Sequence, residues 1–313
     1  MRTTSAFALL LLVSGSLISP RATRATAAAN ARLKPSGSGV DSRVLVRWPN
    51  GNLRSDTSYR DSVYDGDVLT WYEGGQPYQR RHFVRGHEDG LQQAWTDKGA
   101  LYVNYEVREG RRFGLLNSTP CVEVEGKPRP ALPYYDSADF TPHWTPVNHR
   151  IAAFGLTKQD AAPISERSLD RRIHVASFIY TQCAAVCPIL VAQLTRVQAA
   201  IQSMPNAVLV SYSVTPESDT PQALAAFGRE RNIDPARWWL VTGSRSTIYE
   251  LARTSYFADD DRVGSSGGFL HTEKLLLVDG DRHIRGIYNG TQPREIDLLI
   301  RDIGRLNAEM LHQ

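Results

Sequence analysis

The chain has 313 residues, with 36 Lys and Arg against 33 Asp and Glu, a formal net charge of +3 and three cysteines. That length leaves room for two domains with cores of useful size. A charge so close to balance gives no case for nucleic-acid binding, and three cysteines are too few for a disulfide-stapled scaffold.

Arg2 is followed by an apolar run from Ala6 to Ile18 and then by Ala25-Thr-Ala-Ala-Ala29. This is the order of a secretory signal: a basic start, a short apolar stretch and small residues for cleavage. The run of about 13 residues is short for a relaxed membrane span. The expectation is a cleaved signal over residues 1–29 and export to a bacterial periplasm, the alternative being an uncleaved N-terminal anchor. No cysteine lies near the cut, which argues against a lipoprotein. No later stretch reads as a membrane span. Ser36-Gly-Ser-Gly39 reads as a flexible lead-in.

Residues 40–124 read as a smaller all-β repeat domain. Between Val44 and Leu116 a pattern recurs every 23–24 residues: Trp48-Pro-Asn-Gly51, Trp71-Tyr-Glu-Gly74 and Trp95-Thr-Asp-Lys-Gly99, with Leu53, Pro77 and Leu101 after each turn. Asp65-Gly66, Asp89-Gly90 and Phe113-Gly114 mark the second turns. Each unit reads as strand, Gly turn, strand, with aromatic residues on one face. A lone hairpin is marginal in water, so the units are expected to stack. The pattern resembles the MORN-type β-hairpin repeat, and such an array offers a broad face for a protein partner. The aromatic residues are expected to be core. His82, His87, His143 and His149 lack ligand spacing and are read as surface or structural residues, and Cys121 as a single thiol that is partly buried.

Glu125-Gly-Lys-Pro-Arg-Pro130 opens a Pro-rich linker, placed at 125–149. The C-terminal domain, 150–313, alternates strands and helices. Arg172–Tyr180 and Asn206–Val214 are apolar and β-prone, as buried strands of a mixed or parallel sheet are. Between them lies Thr-Gln-Cys183-Ala-Ala-Val-Cys187-Pro188, followed by a helical stripe of Leu190, Leu194, Val197 and Ile201. Pro188 suits the first turn of a helix. A helix over Pro221–Arg231, a strand over Trp238–Val241, a helix over Ser244–Arg253 and an antiparallel pair over Phe269–Val278 and His283–Tyr288 follow. Ile296, Leu299, Ile300, Ile303 and Leu306 stripe a last helix.

Cys183 and Cys187 sit one helical turn apart at a helix start, where the macrodipole favours thiolate. Thiolates there could hold a soft metal with an imidazole such as His271, or cycle between dithiol and disulfide. A lone His before a strand is more often structural, so its residue type leaves its role open. The polar loop Ala258–Gly268 before it is expected to be mobile and to close His271 onto the thiolates. Asp259–Asp261 read as a solvated acidic stretch.

These residues resemble the SCO/SenC family of thioredoxin-like copper proteins, which help assemble the copper centre of cytochrome oxidase. The match lies at Cys183, Cys187, Pro188, His271 and Thr272, with looser likeness at Phe154–Asp160, Ser213–Pro221, Val241–Ser244 and Leu132–Trp144. It spans roughly residues 130–313. The fold class it implies is an α/β thioredoxin-like C-terminal domain behind the smaller all-β repeat domain. Two features depart from the family: Thr215 stands where an Asp is usual, and Ala184-Ala185-Val186 replaces a more polar spacer.

The resemblance implies Cys183, Cys187 and His271 as copper ligands. Two soft thiolates and one imidazole suit trigonal Cu(I) better than Cu(II), which would recruit a fourth ligand; structural zinc normally takes four protein ligands. The implied function is copper delivery to the copper-centre subunit of a cytochrome oxidase, or reduction of that centre's thiols, or delivery to another copper protein, more as a metallochaperone than as a turnover enzyme. The first alternative is a periplasmic thiol–disulfide oxidoreductase using Cys183 and Cys187 as its redox pair. The second is a non-catalytic repeat scaffold or redox sensor. A peroxiredoxin-type peroxidase fits less well, since no Arg closely follows Cys183.

Overall fold

The computed structural model describes residues 31–32, 42–115, 131–182, 186–258, 270 and 272–311, the side chains of 31, 32 and 186 excepted. The signal expected at 1–29, Cys121, Cys183, His271 and the loop at 259–269 lie outside the described residues. Among the described residues no helix is long and apolar enough to cross a membrane.

The N-terminal part is an antiparallel sheet of β1 (Ala31–Arg32), β2 (Ser42–Arg47), β3 (Leu53–Arg60), β4 (Val63–Trp71), β5 (Pro77–Val84), β6 (His87–Glu88), β7 (Gly90–Trp95), β8 (Leu101–Arg108) and β9 (Arg111–Leu115). The strands follow chain order from β1 to β9, except that β6 pairs only with β5, and β7 takes the next place. Three turns repeat one geometry: the N–H groups of Gly51, Gly75 and Gly99 each donate at 2.9 Å to the carbonyls of Trp48, Tyr72 and Thr96. All three glycines have positive φ, a conformation in which a Cβ is strained.

The register shifts before these turns recur at Val46/Arg47, Thr70/Trp71 and Ala94/Trp95. The structural repeat is therefore 24 residues, and it aligns Gly75, not Gly74, with Gly51. The tryptophan spacing misplaces this register because Trp71 and Trp95 close their strands, whereas Trp48 lies one residue beyond β2. Trp48 Nε1 donates to Trp71 O at 3.1 Å and Tyr72 Oη to Trp95 O at 2.9 Å, tying each turn to the next.

The C-terminal part is a seven-stranded mixed sheet of β10 (Gly155–Lys158), β11 (Pro163–Ser165), β12 (Ile173–Ile179), β13 (Ala207–Ser213), β14 (Trp238–Thr242), β15 (Lys274–Val278) and β16 (Ile284–Asn289), in the order β11-β10-β14-β13-β12-β15-β16. β12, β13 and β14 run parallel and the outer pairings are antiparallel. Every residue of β12 and β13 is buried. Their pleat divides the interior in two. Ile173, Val175 and Ile179 face the layer of α1 (Val186–Ala200), α2 (Pro221–Glu230) and α4 (Pro293–Leu311). Ala176 and Phe178 face the other side, with Tyr135, Phe140, Tyr256 and Ile248 of α3 (Arg245–Glu250). The helix expected over 244–253 is α only to Glu250 and widens into a π turn over Leu251–Ser255.

The two parts pack against each other. Phe113 of β9 is buried in the same cluster as Leu190, Tyr288 and Leu299, and Arg111 pairs with Asp302 of α4. Residues 131–149 lie along this junction: Leu132, Tyr135 and Phe140 are buried, and Trp144 Nε1 donates to both Glu106 carboxylate oxygens at 3.0 Å. Buried Arg285 donates to the carbonyls of Pro133 at 3.0 Å and Leu132 at 2.7 Å.

Candidate metal centre

Of the three expected ligands, Cys187 is described directly. It is the second residue of α1 and is 8% exposed, in the apolar cluster that holds Leu190 and Leu194. Pro188 and Ile189 beside it are exposed, Ile189 by 49%. The sulfur thus lies at a helix N-terminus, close to the surface and flanked by apolar side chains. The helix N-terminus is a setting that helps a thiolate, whereas the apolar burial works against charge unless a metal or partner shares it. Among the described residues no three His, Cys, Asp or Glu side chains group as a metal site.

The chain flanking Cys183 and His271 converges from three directions. β12 ends at Ile179, whose carbonyl accepts from Val214 N at 2.8 Å, just beyond β13. The Tyr249 hydroxyl donates to Val214 O at 3.1 Å and accepts from Leu270 N at 3.3 Å. One phenol oxygen therefore ties the residue before His271 to the end of the parallel strands from which the Cys183 segment departs. After His271, Thr272 Oγ1 accepts from Lys274 N at 3.1 Å and opens β15. Gly290 N donates to Glu273 O at 2.7 Å. A Cβ on Gly290 would run into Leu190 of α1, so Glu273 and the N-terminal end of α1 are neighbours.

A buried carboxylate lies beside the end of β12. Asp219 is 0% exposed and accepts four hydrogen bonds: Thr181 Oγ1 at 2.5 Å, Thr181 N at 3.2 Å, Ser213 Oγ at 2.6 Å and Thr215 Oγ1 at 3.0 Å. Thr181 stands two residues before Cys183. Sequence reasoning noted the loop Ser213–Pro221 but gave Asp219 no role. The available signal was a carboxylate within a run of Ser and Thr donors, a pattern that turns also produce.

The SCO1/SenC family model matches residues 145–306, more than half of the chain. The chain belongs to the SCO1/SenC family. Its matched region contains all three expected ligands and the Asp219 cluster. It is 30% identical over 160 residues to the SCO1 protein homolog of Bacillus subtilis, covering 50% of this chain and 83% of that protein. It is 25% identical over 145 residues to a Stutzerimonas stutzeri protein named "Putative copper-binding protein", covering 45% of this chain and 70% of that one. A solved SCO1/SenC family lipoprotein from Bacillus anthracis is 28% identical, with a TM-score of 0.46, covering 52% of this chain and 98% of that one.

Proposed function

We propose that this SCO1/SenC protein is an exported copper protein that binds Cu(I) through Cys183, Cys187 and His271. It passes the ion to the copper centre of a respiratory cytochrome oxidase or to another copper protein. The observation that carries this reading is the convergence at one end of the parallel strands. The segment leading to Cys183 leaves the end of β12, that leading from His271 enters β15 at the same end, Tyr249 ties Leu270 to Val214, and Leu190 of the Cys187 helix lies against Gly290 beside Glu273.

The donor chemistry fits copper as cargo. Two thiolates and one neutral imidazole suit Cu(I), and a three-coordinate set leaves a side open to a partner's ligand. The exposed Pro188 and Ile189 would let that partner approach without displacing charge. The relative from Stutzerimonas stutzeri, named for copper binding, supports the same reading. We further propose the boundaries 1–29 for a signal, 40–124 for the repeats, 125–149 for the linker and 150–313 for a thioredoxin-like copper domain. The 24-residue hairpin repeat supports a MORN-type assignment for the N-terminal sheet, which would then present a face to a protein partner.

The test is the Cu(I) affinity and stoichiometry of the reduced protein, measured beside His271→Ala and the double variant Cys183→Ser/Cys187→Ser. One tightly held Cu(I), lost in the thiol variant and much weaker in His271→Ala, is the expected result. Weak binding indifferent to His271, together with a readily cycled Cys183–Cys187 disulfide, would replace this reading with a thiol–disulfide oxidoreductase.

A further inference from the structure

Asp219 has an unusual surrounding for a carboxylate side chain. Its carboxyl is fully buried, and each of its four partners is a donor, so it acts as acceptor only. Burying a carboxylate is costly unless donors replace its water, and four donors do so here. Two of the four come from β13 and the loop after it, Ser213 and Thr215. The other two are the backbone and the hydroxyl of one residue, Thr181. Asp219 is itself fixed, since its N–H donates to Thr215 O at 2.9 Å and the next residue, Thr220, caps α2. Thr181 is thus held at two points by a group anchored to the neighbouring strand and helix.

The consequence concerns the thiols. Cys187 is set by α1, whose first turn packs in the core. Among the described residues, the chain leaving β12 towards Cys183 is held by the Thr181–Asp219 clamp. We infer that Asp219 is a positioning residue for the segment that leads into the Cys183–Cys187 pair, acting through Thr181, two residues before Cys183. This deepens the copper reading and rests on it for the identity of the ion. Groups that orient ligands from the second layer typically govern about 10–100-fold in metal affinity.

The experiment uses the full chain and Cu(I) itself, with affinity read by competition against a chromophoric Cu(I) chelator and stability by thermal melting. Thr181→Val removes the hydroxyl donor and keeps the volume; Thr181→Ser keeps the donor. Ser177→Ala is the stability control, because it deletes a buried hydroxyl pair with Ser211 at 2.7 Å between the same two strands. The expected result is a loss of about tenfold or more in Cu(I) affinity for Thr181→Val, with a larger loss for Asp219→Asn. Recovery close to wild type is expected for Thr181→Ser, and wild-type affinity for Ser177→Ala despite a lower melting temperature. Wild-type affinity in Thr181→Val overturns the inference, as does an equal loss in Ser177→Ala.

A wild type that binds Cu(I) no better than Cys183→Ser/Cys187→Ser sinks the copper reading alone. Positioning is then read from the reduction potential of the Cys183–Cys187 pair. A shift of about 30 mV, the equivalent of tenfold, in Thr181→Val but not in Ser177→Ala upholds it, and unchanged potentials overturn it.

Discussion

Arg111 and Asp302, 191 positions apart, form a two-pronged ion pair that joins the N-terminal sheet to α4, with Nη1 at 2.8 Å from Oδ1. The Tyr288 hydroxyl donates to the other carboxylate oxygen at 2.6 Å, and the Asp302 side chain is 1% exposed. Burial, reinforced by this carboxylate, raises the Tyr288 phenol well above the usual tyrosine range. Phe113, two residues beyond Arg111, is buried with Tyr288 and Leu299 in the cluster that also contains Cys187. The repeat sheet is therefore docked onto the domain that carries the candidate centre, and its faces stand in a fixed relation to that centre.

Breaking this pair from one side should be costly. Arg111→Met leaves the Asp302 carboxylate buried without its principal partner, and the loss of stability should be about 3–5 kcal/mol. Arg111→Met combined with Asp302→Leu removes both charges and should recover most of it. Urea unfolding of the two variants decides the matter; equal losses in the single and double variants would show that the pair is not what holds the junction.

Acid should destabilise the C-terminal domain through His174. This side chain on β12 is fully buried, its Nε2 lies 3.0 Å from the Tyr256 hydroxyl, and desolvation pushes its pKa from the ordinary histidine value near 6.5 down to about 3. The unfolded chain takes up a proton near pH 6.5 that the folded chain refuses until about pH 3. Stability from this group is therefore level above pH 6.5 and falls as pH drops from there towards 3. By pH 5 the loss should be about 2 kcal/mol. His174→Gln should flatten that slope between pH 7 and 5 in denaturant titrations, and an unchanged slope would assign the acid sensitivity elsewhere.

Tyr249→Phe should loosen the segment before His271, the third proposed ligand. The substitution keeps the ring and deletes the oxygen that bridges Val214 O and Leu270 N. The same oxygen also accepts from Arg245 Nη1 at 3.4 Å, and the three hydrogen bonds are worth about 1.5–4 kcal/mol together. Part of that should appear as a Cu(I) affinity lowered by about 3–10-fold. The decisive comparison is with the His271→Ala background: there Tyr249→Phe should have no further effect on affinity, and a full additional loss would mean that the tyrosine does not act through His271.

Much of the C-terminal plan is legible in the sequence because its signals are local. The apolar runs that become β12 and β13, the Pro188 helix start and the stripe from Ile296 to Leu306 each carry their own periodicity. The Gly turns of the repeats are equally local, though the tryptophans misplace the register by one residue at Gly74 and Gly75. What escapes is set by distant pairing. Arg111 and Asp302 read as ordinary surface charges until β9 is laid beside β16 and α4. Asp219 reads as a turn residue until β12 and β13 are adjacent and Thr181 is brought to it. Cys187 is found at the helix start that its Pro neighbour implied, whereas the placement of Cys183 and His271 lies beyond the described residues.

Gly290 tests whether the start of β15 and the N-terminal end of α1 must touch. It is buried, and its backbone N–H binds Glu273 O. The conformation would tolerate a side chain, but the space would not: an added Cβ meets Leu190 Cδ1 well inside contact distance and Glu273 O at 3.0 Å. Leu190 is itself 1% exposed and has no free volume to retreat into. Gly290→Ala must therefore push α1 away from the segment that follows His271, at an overpacking cost of about 1–3 kcal/mol. Because Cys187 is one turn from Leu190, the same displacement should separate Cys187 from His271, and Cu(I) affinity should fall together with the melting temperature. Adding Leu190→Ala to Gly290→Ala opens room for the new methyl and should restore affinity even where stability stays low. Affinity that stays low when the clash is relieved would mean that the spacing between α1 and β15 does not set the centre.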